Sequence, residues 1–239
     1  MNKVNSYSLT RRNLRDLIII LSLVSAVLFP VSNVEIYLAF GLLTLGCFLH
    51  FISKGILIRN VVLCNKGIYH VVRHPYYLAS YLIDSSFCLL SGNIFLVVLY
   101  PFLFFWAYGP TIRGEEQTLF ARHDESFIKD SLEIPQVFPD IVSARNIGAL
   151  FMGFSVKRIT LKECSRIMKF CAIGLFIMLI HEIEIDGLMR GLKDMFVPTK
   201  LDYDEFLLMF FIVMLYMVSV ILLRFSKQNK HVPQEIFRA

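Results

Sequence analysis

Charge is the scarcest ingredient of this chain. Asp, Glu, Lys and Arg make up only 18% of its 239 residues, against 56% hydrophobic residues and a mean hydropathy of +0.62. A water-soluble domain carries about a quarter charged residues, so the composition excludes an ordinary soluble globule. Cysteine is sparse too. Cys47, Cys64, Cys88, Cys164 and Cys171 contain no CxxC spacing, so neither a zinc site nor a disulfide framework is implied and free thiols are expected. There is no internal repeat and no low-complexity segment. Arg11-Arg12 precede an apolar run, but no small-residue cleavage site follows; an uncleaved first helix is expected.

What is abundant is long apolar sequence. Crossing a hydrocarbon core takes about 20 mostly apolar residues. Five runs approach or reach that length: Leu17 to Val31, Val34 to Ile52, Tyr76 to Leu90, Ile94 to Ile112 and Phe206 to Leu223. A sixth, Phe170 to Ile180, spans only if Ile167, Met168 and Ile183 extend it and Lys169 and Glu182 snorkel outward. The expected fold is all-α: a polytopic transmembrane helical bundle of about six spans.

The basic residues fix the expected orientation. Of 24 Lys and Arg, 21 fall before the first span, between spans two and three, between four and five, or after the sixth. Arg190, Lys193 and Lys200 remain, among Glu182, Glu184, Asp186, Asp194, Asp202, Asp204 and Glu205. The positive-inside rule then places both termini in the cytoplasm, with the reactive residues on the same side of a cell (inner) membrane. Net charge +5 and pI ≈ 8.9 are thus explained by topology, and no nucleic-acid partner is implied.

Two short connections, Pro30 to Asn33 and Ser91-Gly92-Asn93, predict two antiparallel hairpins of neighbouring helices. Pro101 and Gly109-Pro110 predict a kink or stop in span four, and Trp106 and Tyr108 suit an interfacial belt. Arg158, Lys162, Arg166 and Lys169 predict one basic helical face over residues 155–169, lying on anionic headgroups. The chain divides into an N-terminal hairpin (1–53), a core (54–139) and an amphipathic segment with a terminal pair of spans (140–239).

Chemistry concentrates in two segments. The first, Gly67-Ile68-Tyr69-His70-Val71-Val72-Arg73-His74-Pro75-Tyr76-Tyr77, opens span three. Pro75 suits a first helical turn, whose free amides with Arg73 predict an anion site. The second, Arg113-Gly114-Glu115-Glu116, leaves span four and leads to Glu133-Ile134-Pro135-Gln136-Val137-Phe138-Pro139. A tight hairpin makes the two neighbours. Arg73 and His74 then face Glu115 and Glu116, a dipolar arrangement suited to a zwitterion bearing a carboxylate and an ammonium or sulfonium centre.

The string RHPYY, followed after one hairpin by EE and a PxxFP-like ending, resembles the integral membrane methyltransferases, a superfamily that includes isoprenylcysteine carboxyl methyltransferases and phospholipid N-methyltransferases. The likeness covers about Gly67 to Pro139. It implies S-adenosylmethionine as cofactor and a lipid or lipidated substrate entering from the bilayer. Carried over by position, it implies Arg73, His74 and Glu116 as catalytic residues and His70, Arg73, His74, Pro75, Tyr77, Glu115 and Glu116 as cofactor-binding ones. A carboxylate acceptor needs no base; an amine must lose a proton, for which His74, His70 and Glu116 are candidates. Two positions depart from the pattern, Ala79 where many relatives have glycine and Gln136 where a basic residue is usual.

Other readings stand beside this one. His70 and His74 are four apart, but Pro75 starts the helix after them, so no metal site is assigned. Asp84, inside span three, is expected to face the bundle interior, as a substrate contact or an interhelical hydrogen bond. His50 reads as an interface residue. The functional alternatives are an NADPH-dependent membrane reductase resembling sterol reductases, although those have asparagine where Tyr76 stands, and a non-catalytic membrane scaffold with a degenerate site.

Overall fold

A computed structural model describes residues 10–57, 66–140, 150–190 and 203–228, and their side chains apart from 123–132, 183–190 and 203–204. These residues form helices α1 (Arg11–Leu28), α2 (Asn33–Ile56), α3 (Pro75–Leu90), α4 (Ile94–Glu133), α5 (Leu161–Arg190) and α6 (Tyr203–Gln228), with short 3-10 turns at Gly67–His70 and Val156–Arg158. No strand occurs among the described residues. Local chemistry sets the helix starts. The Thr10 hydroxyl accepts from the Asn13 amide, and Ser32 and Glu35 form a reciprocal capping box with Oε2 of Glu35 2.7 Å from the Ser32 amide. Pro75 occupies the first position of α3, where its missing N–H leaves nothing unpaired.

The protein is an all-α bundle with apolar helices of membrane-crossing length. Four stretches are long and apolar enough: Asn33–Ile56, Ile94–Arg122, Leu161–Glu182 and Glu205–Gln228. The other two helices stop short of that standard. α1 devotes its first two turns to Arg11, Arg12, Arg15 and Asp16, and α3, with 16 residues, rises only about 24 Å. α5 reaches full length because the run expected at Phe170 to Ile180 is extended in both directions.

The two tight turns meet at one end of the bundle. Gly92 has φ +65°, and a Cβ there would stand 2.5 Å from the Pro30 carbonyl oxygen, so only glycine lets the turns touch. Asn93 reaches the Ser25 hydroxyl (3.1 Å), and the buried His181 of α5 lies 2.7 Å from the Leu90 carbonyl oxygen. The start of α3 and the residues around Glu116 of α4 lie at the opposite end.

Helix neighbours only partly follow the hairpins. α3 packs on α4 as expected, and most extensively on α2. There a Cβ on Gly46 would come within 3.0 Å of the Ala79 carbonyl oxygen, a close approach of backbones. α1, however, does not pack along α2 but against α3, α4 and α5. A short connection fixes where the next helix begins without fixing its tilt, and polar side chains of α1 find their partners on α3.

Three further expectations are corrected. Of the kink or stop predicted for span four, the stop is excluded: α4 continues through Pro101 and Pro110 to Glu133, with both rings on partly or fully exposed positions. Residues 155–169 are not one helix, because extended backbone at Ile159 separates the turn carrying Arg158 from α5. Arg158 instead donates to the carbonyls of Gly55, Ile56 and Gly153, closing the end of α2. Trp106 is 67% exposed as an interfacial residue would be, but Tyr108 is buried and stacked on Phe104 at 4.4 Å. The expected acidic loop with Lys193, Lys200, Asp194 and Asp202, and also Cys64, lie outside the described residues. Cys47, Cys88, Cys164 and Cys171 are free thiols.

Candidate functional site

The site begins where the chain turns into α3. The Arg73 amide donates to the Pro135 carbonyl and the His74 amide to the Gln136 carbonyl, both at 2.9 Å, clasping the segment after α4 against the start of α3. His74 then caps the helix, its carbonyl accepting from the amides of Tyr77 and Leu78. These bonds take up several of the amides expected to form an anion site here. The amides of residues 73, 74, 77 and 78 are all committed to carbonyls, so the cluster is built from side chains.

Those side chains converge as the hairpin argument required. Arg73 Nη2 is 3.0 Å from Glu116 Oε1, and His74 Nε2 is 3.3 Å from the same oxygen. Gln136 donates from Nε2 to the other carboxylate oxygen at 2.8 Å. Glu115 accepts from the Tyr77 hydroxyl at 2.5 Å, and His74 Nδ1 lies 3.8 Å from its second oxygen. Burial divides the pair: Glu116 is 19% exposed and Glu115 47%. Tyr77 is itself buried, stacked on His74 and edge-on to Tyr108, with ring centroids 5.5 Å apart in each case. Pro75 is buried within the first turn.

One member comes from outside the two segments. Arg11 of α1 donates from Nη1 to the Tyr77 hydroxyl at 2.6 Å, sits 3.8 Å from Glu115 and covers the Tyr77 ring. Sequence reading counted Arg11 as a topological anchor. Arg11 and Arg15 are four apart, hence on one helical face, and that spacing is the signal by which the pair was legible. They meet Tyr77 and Asp84, two turns apart on α3.

Not every expected residue joins. His70 ends its 3-10 turn exposed and makes no hydrogen bond or ion pair with the cluster's described residues. Ala79 is fully buried, with its carbonyl against Gly46 of α2, and belongs to the α2–α3 contact. Gln136 sits inside the cluster as a ligand of Glu116. Asp84 is fully buried and faces inward. Its two oxygens take Arg15 Nε (2.7 Å) and Nη2 (3.3 Å), and the Tyr100 hydroxyl adds a third bond at 3.2 Å. That settles Asp84 as an interhelical tie between α1, α3 and α4. The Arg15 guanidinium also lies 4.8 Å over Phe170 of α5. His50 is buried and bonded to Glu163 of α5 at 2.9 Å rather than lying at an interface with water.

At one end of the bundle, then, a partly open cluster of two carboxylates, two guanidiniums, an imidazole and a tyrosine is held by α1, α3, α4 and the segment that follows α4. No family model matches the chain, and no curated protein or solved structure is found similar to it.

Proposed function

We propose that the protein transfers a methyl group from S-adenosylmethionine to a carboxylate or amine of a membrane-embedded lipid or lipidated substrate. In this reading it crosses the membrane about six times with both termini and the site on the cytoplasmic side of a cell (inner) membrane. The observation that carries the reading is the meeting of Arg73, His74 and Tyr77 with Glu115 and Glu116, the residues for which the chain resembles membrane methyltransferases. The donor set fits the cofactor. A guanidinium suits a carboxylate, and paired carboxylates suit an ammonium or ribose hydroxyls. Glu115 and Arg11, each nearly half exposed, are the groups a ligand reaches first.

When bound, the cofactor supplies an electrophilic methyl on a sulfonium leaving group. The chain's own residues have the work of alignment and of keeping water out. Holding two reactants in line is worth on the order of 7 to 11 kcal/mol of a bimolecular barrier. Arg73, His74 and Gln136 together fix Glu116 from three directions, and Tyr77 and Arg11 fix Glu115 from two. An amine acceptor would give its proton to His74 or Glu116, a carboxylate acceptor none.

A second reading has one observation in its favour: the cluster's charges are met by one another, as in a latch joining α3 to α4 without catalysis. Incubation of purified protein and membrane extract with methyl-labelled S-adenosylmethionine, followed by chromatography of the lipids, separates the two. Labelled lipid that disappears in Arg73→Ala and Glu116→Ala variants of unchanged fold supports methyl transfer. No label in the wild type, with folding lost in both variants, supports the latch. Consumption of NADPH in place of the methyl donor would move the assignment to a membrane reductase.

A further inference from the structure

A second polar cluster stands beside the first and is not used by it. It lies where the end of α2, the start of α3 and the start of α5 meet. His50 Nε2 is 2.9 Å from Glu163 Oε2, and Arg166 Nη1 is 3.0 and 3.3 Å from the two oxygens of the same carboxylate. Arg166 Nη1 also donates to the Tyr76 hydroxyl at 3.3 Å. Lys54 Nζ rides 4.0 Å over the Tyr76 ring, and His50 packs on the same ring with centroids 4.8 Å apart.

Two features point outward from this cluster. Among the described residues Arg166 shares its carboxylate, Glu163, with His50, and Lys54 adds a second cation on the same tyrosine ring. Every hydrogen bond that Arg166 makes to described residues uses Nη1, so Nε and Nη2, on a side chain 36% exposed, form a planar donor edge aimed at no described acceptor. Such an edge matches two oxygens of a phosphate.

We infer that Arg166 and Lys54, seated on Tyr76 at the end of a bundle of membrane-length helices, form a binding site for the phosphate headgroup of an anionic lipid. The inference is independent of methyl transfer. Native mass spectrometry of the full chain in neutral detergent, offered equal phosphatidylglycerol and phosphatidylcholine, tests it directly. Phosphatidylglycerol is retained in preference, and retention falls about five- to tenfold in Arg166→Gln and in Lys54→Gln, each removing one cation from the surface. Arg166→Lys keeps part of it. Lys157→Gln and Lys162→Gln, cations of the same region outside the cluster, leave it unchanged, and a thermal melt shows that all variants stay folded. Equal retention of the two lipids, or retention indifferent to both cluster variants, overturns the site. Binding of inorganic phosphate alone, as tight by calorimetry as that of phosphatidylglycerol, overturns the lipid assignment.

Discussion

Two clusters in this bundle share a chemistry and differ in burial. Arg15, Asp84 and Tyr100 repeat the arginine, carboxylate and tyrosine of Arg11, Glu115 and Tyr77, and both arginines come from one face of α1. Asp84 is sealed from solvent, whereas Glu115 is 47% exposed. A sealed ion pair cannot exchange its partners for water or ligand, so its worth is positional: it sets how α1, α3 and α4 stand together. An exposed one gains little from its own pairing, because solvent screens it, and is free to trade partners with a ligand. The difference separates a tie from a site.

The largest expected effect tests the tie. Asp84→Ala leaves the Arg15 guanidinium buried beside Phe170 without its carboxylate, at a cost of about 3–5 kcal/mol, read as a lowered midpoint of unfolding in detergent. Replacing Arg15 and Asp84 together by Met and Leu restores most of that loss. A different pattern belongs to the open cluster. Arg73→Ala and Glu116→Ala lower labelled-methyl transfer by about 100-fold through misplacement of the ligand, and because both side chains are mostly buried they also cost about 1–3 kcal/mol of stability. Gln136→Ala removes one neutral donor from Glu116 and slows transfer about fivefold, corresponding to about 1 kcal/mol. Smallest is Glu115→Gln, which shifts unfolding by less than about 0.5 kcal/mol because the group is half in water. If Glu115→Gln destabilises as much as Asp84→Ala, the contrast fails.

How much of this was legible in the sequence depends on the range of the interaction. The α3–α4 hairpin, Pro75 as helix start and the meeting of Arg73 with Glu116 follow from short spacings, and they stand in the structure. The capping box at Ser32 and Glu35 was also there to be read, as a serine followed three residues later by a glutamate. What escaped were partners 66 to 69 residues apart: Arg11 on Tyr77 and Arg15 on Asp84. A positive-inside count registers such arginines by sign and cannot register what they touch. Tyr108 was misplaced for a similar reason, since an aromatic residue near a membrane boundary serves a belt or a core depending on neighbours that only the fold supplies. The basic spacing over 155–169 misled because periodicity was counted across a break at Ile159 that no proline or glycine marks.

The clasp between residues 73–74 and 135–136 turns the far half of α4 into a measured strut. Its lower end is pinned at Glu116 by Arg73 and His74, and the chain returns to the same two residues at Pro135 and Gln136. Each fastening is two contacts wide. A residue inserted between them turns everything beyond it by about 100° and lifts it by about 1.5 Å, enough to unhook the return. Between these two fastenings the number of residues is as much a part of the site as their identity.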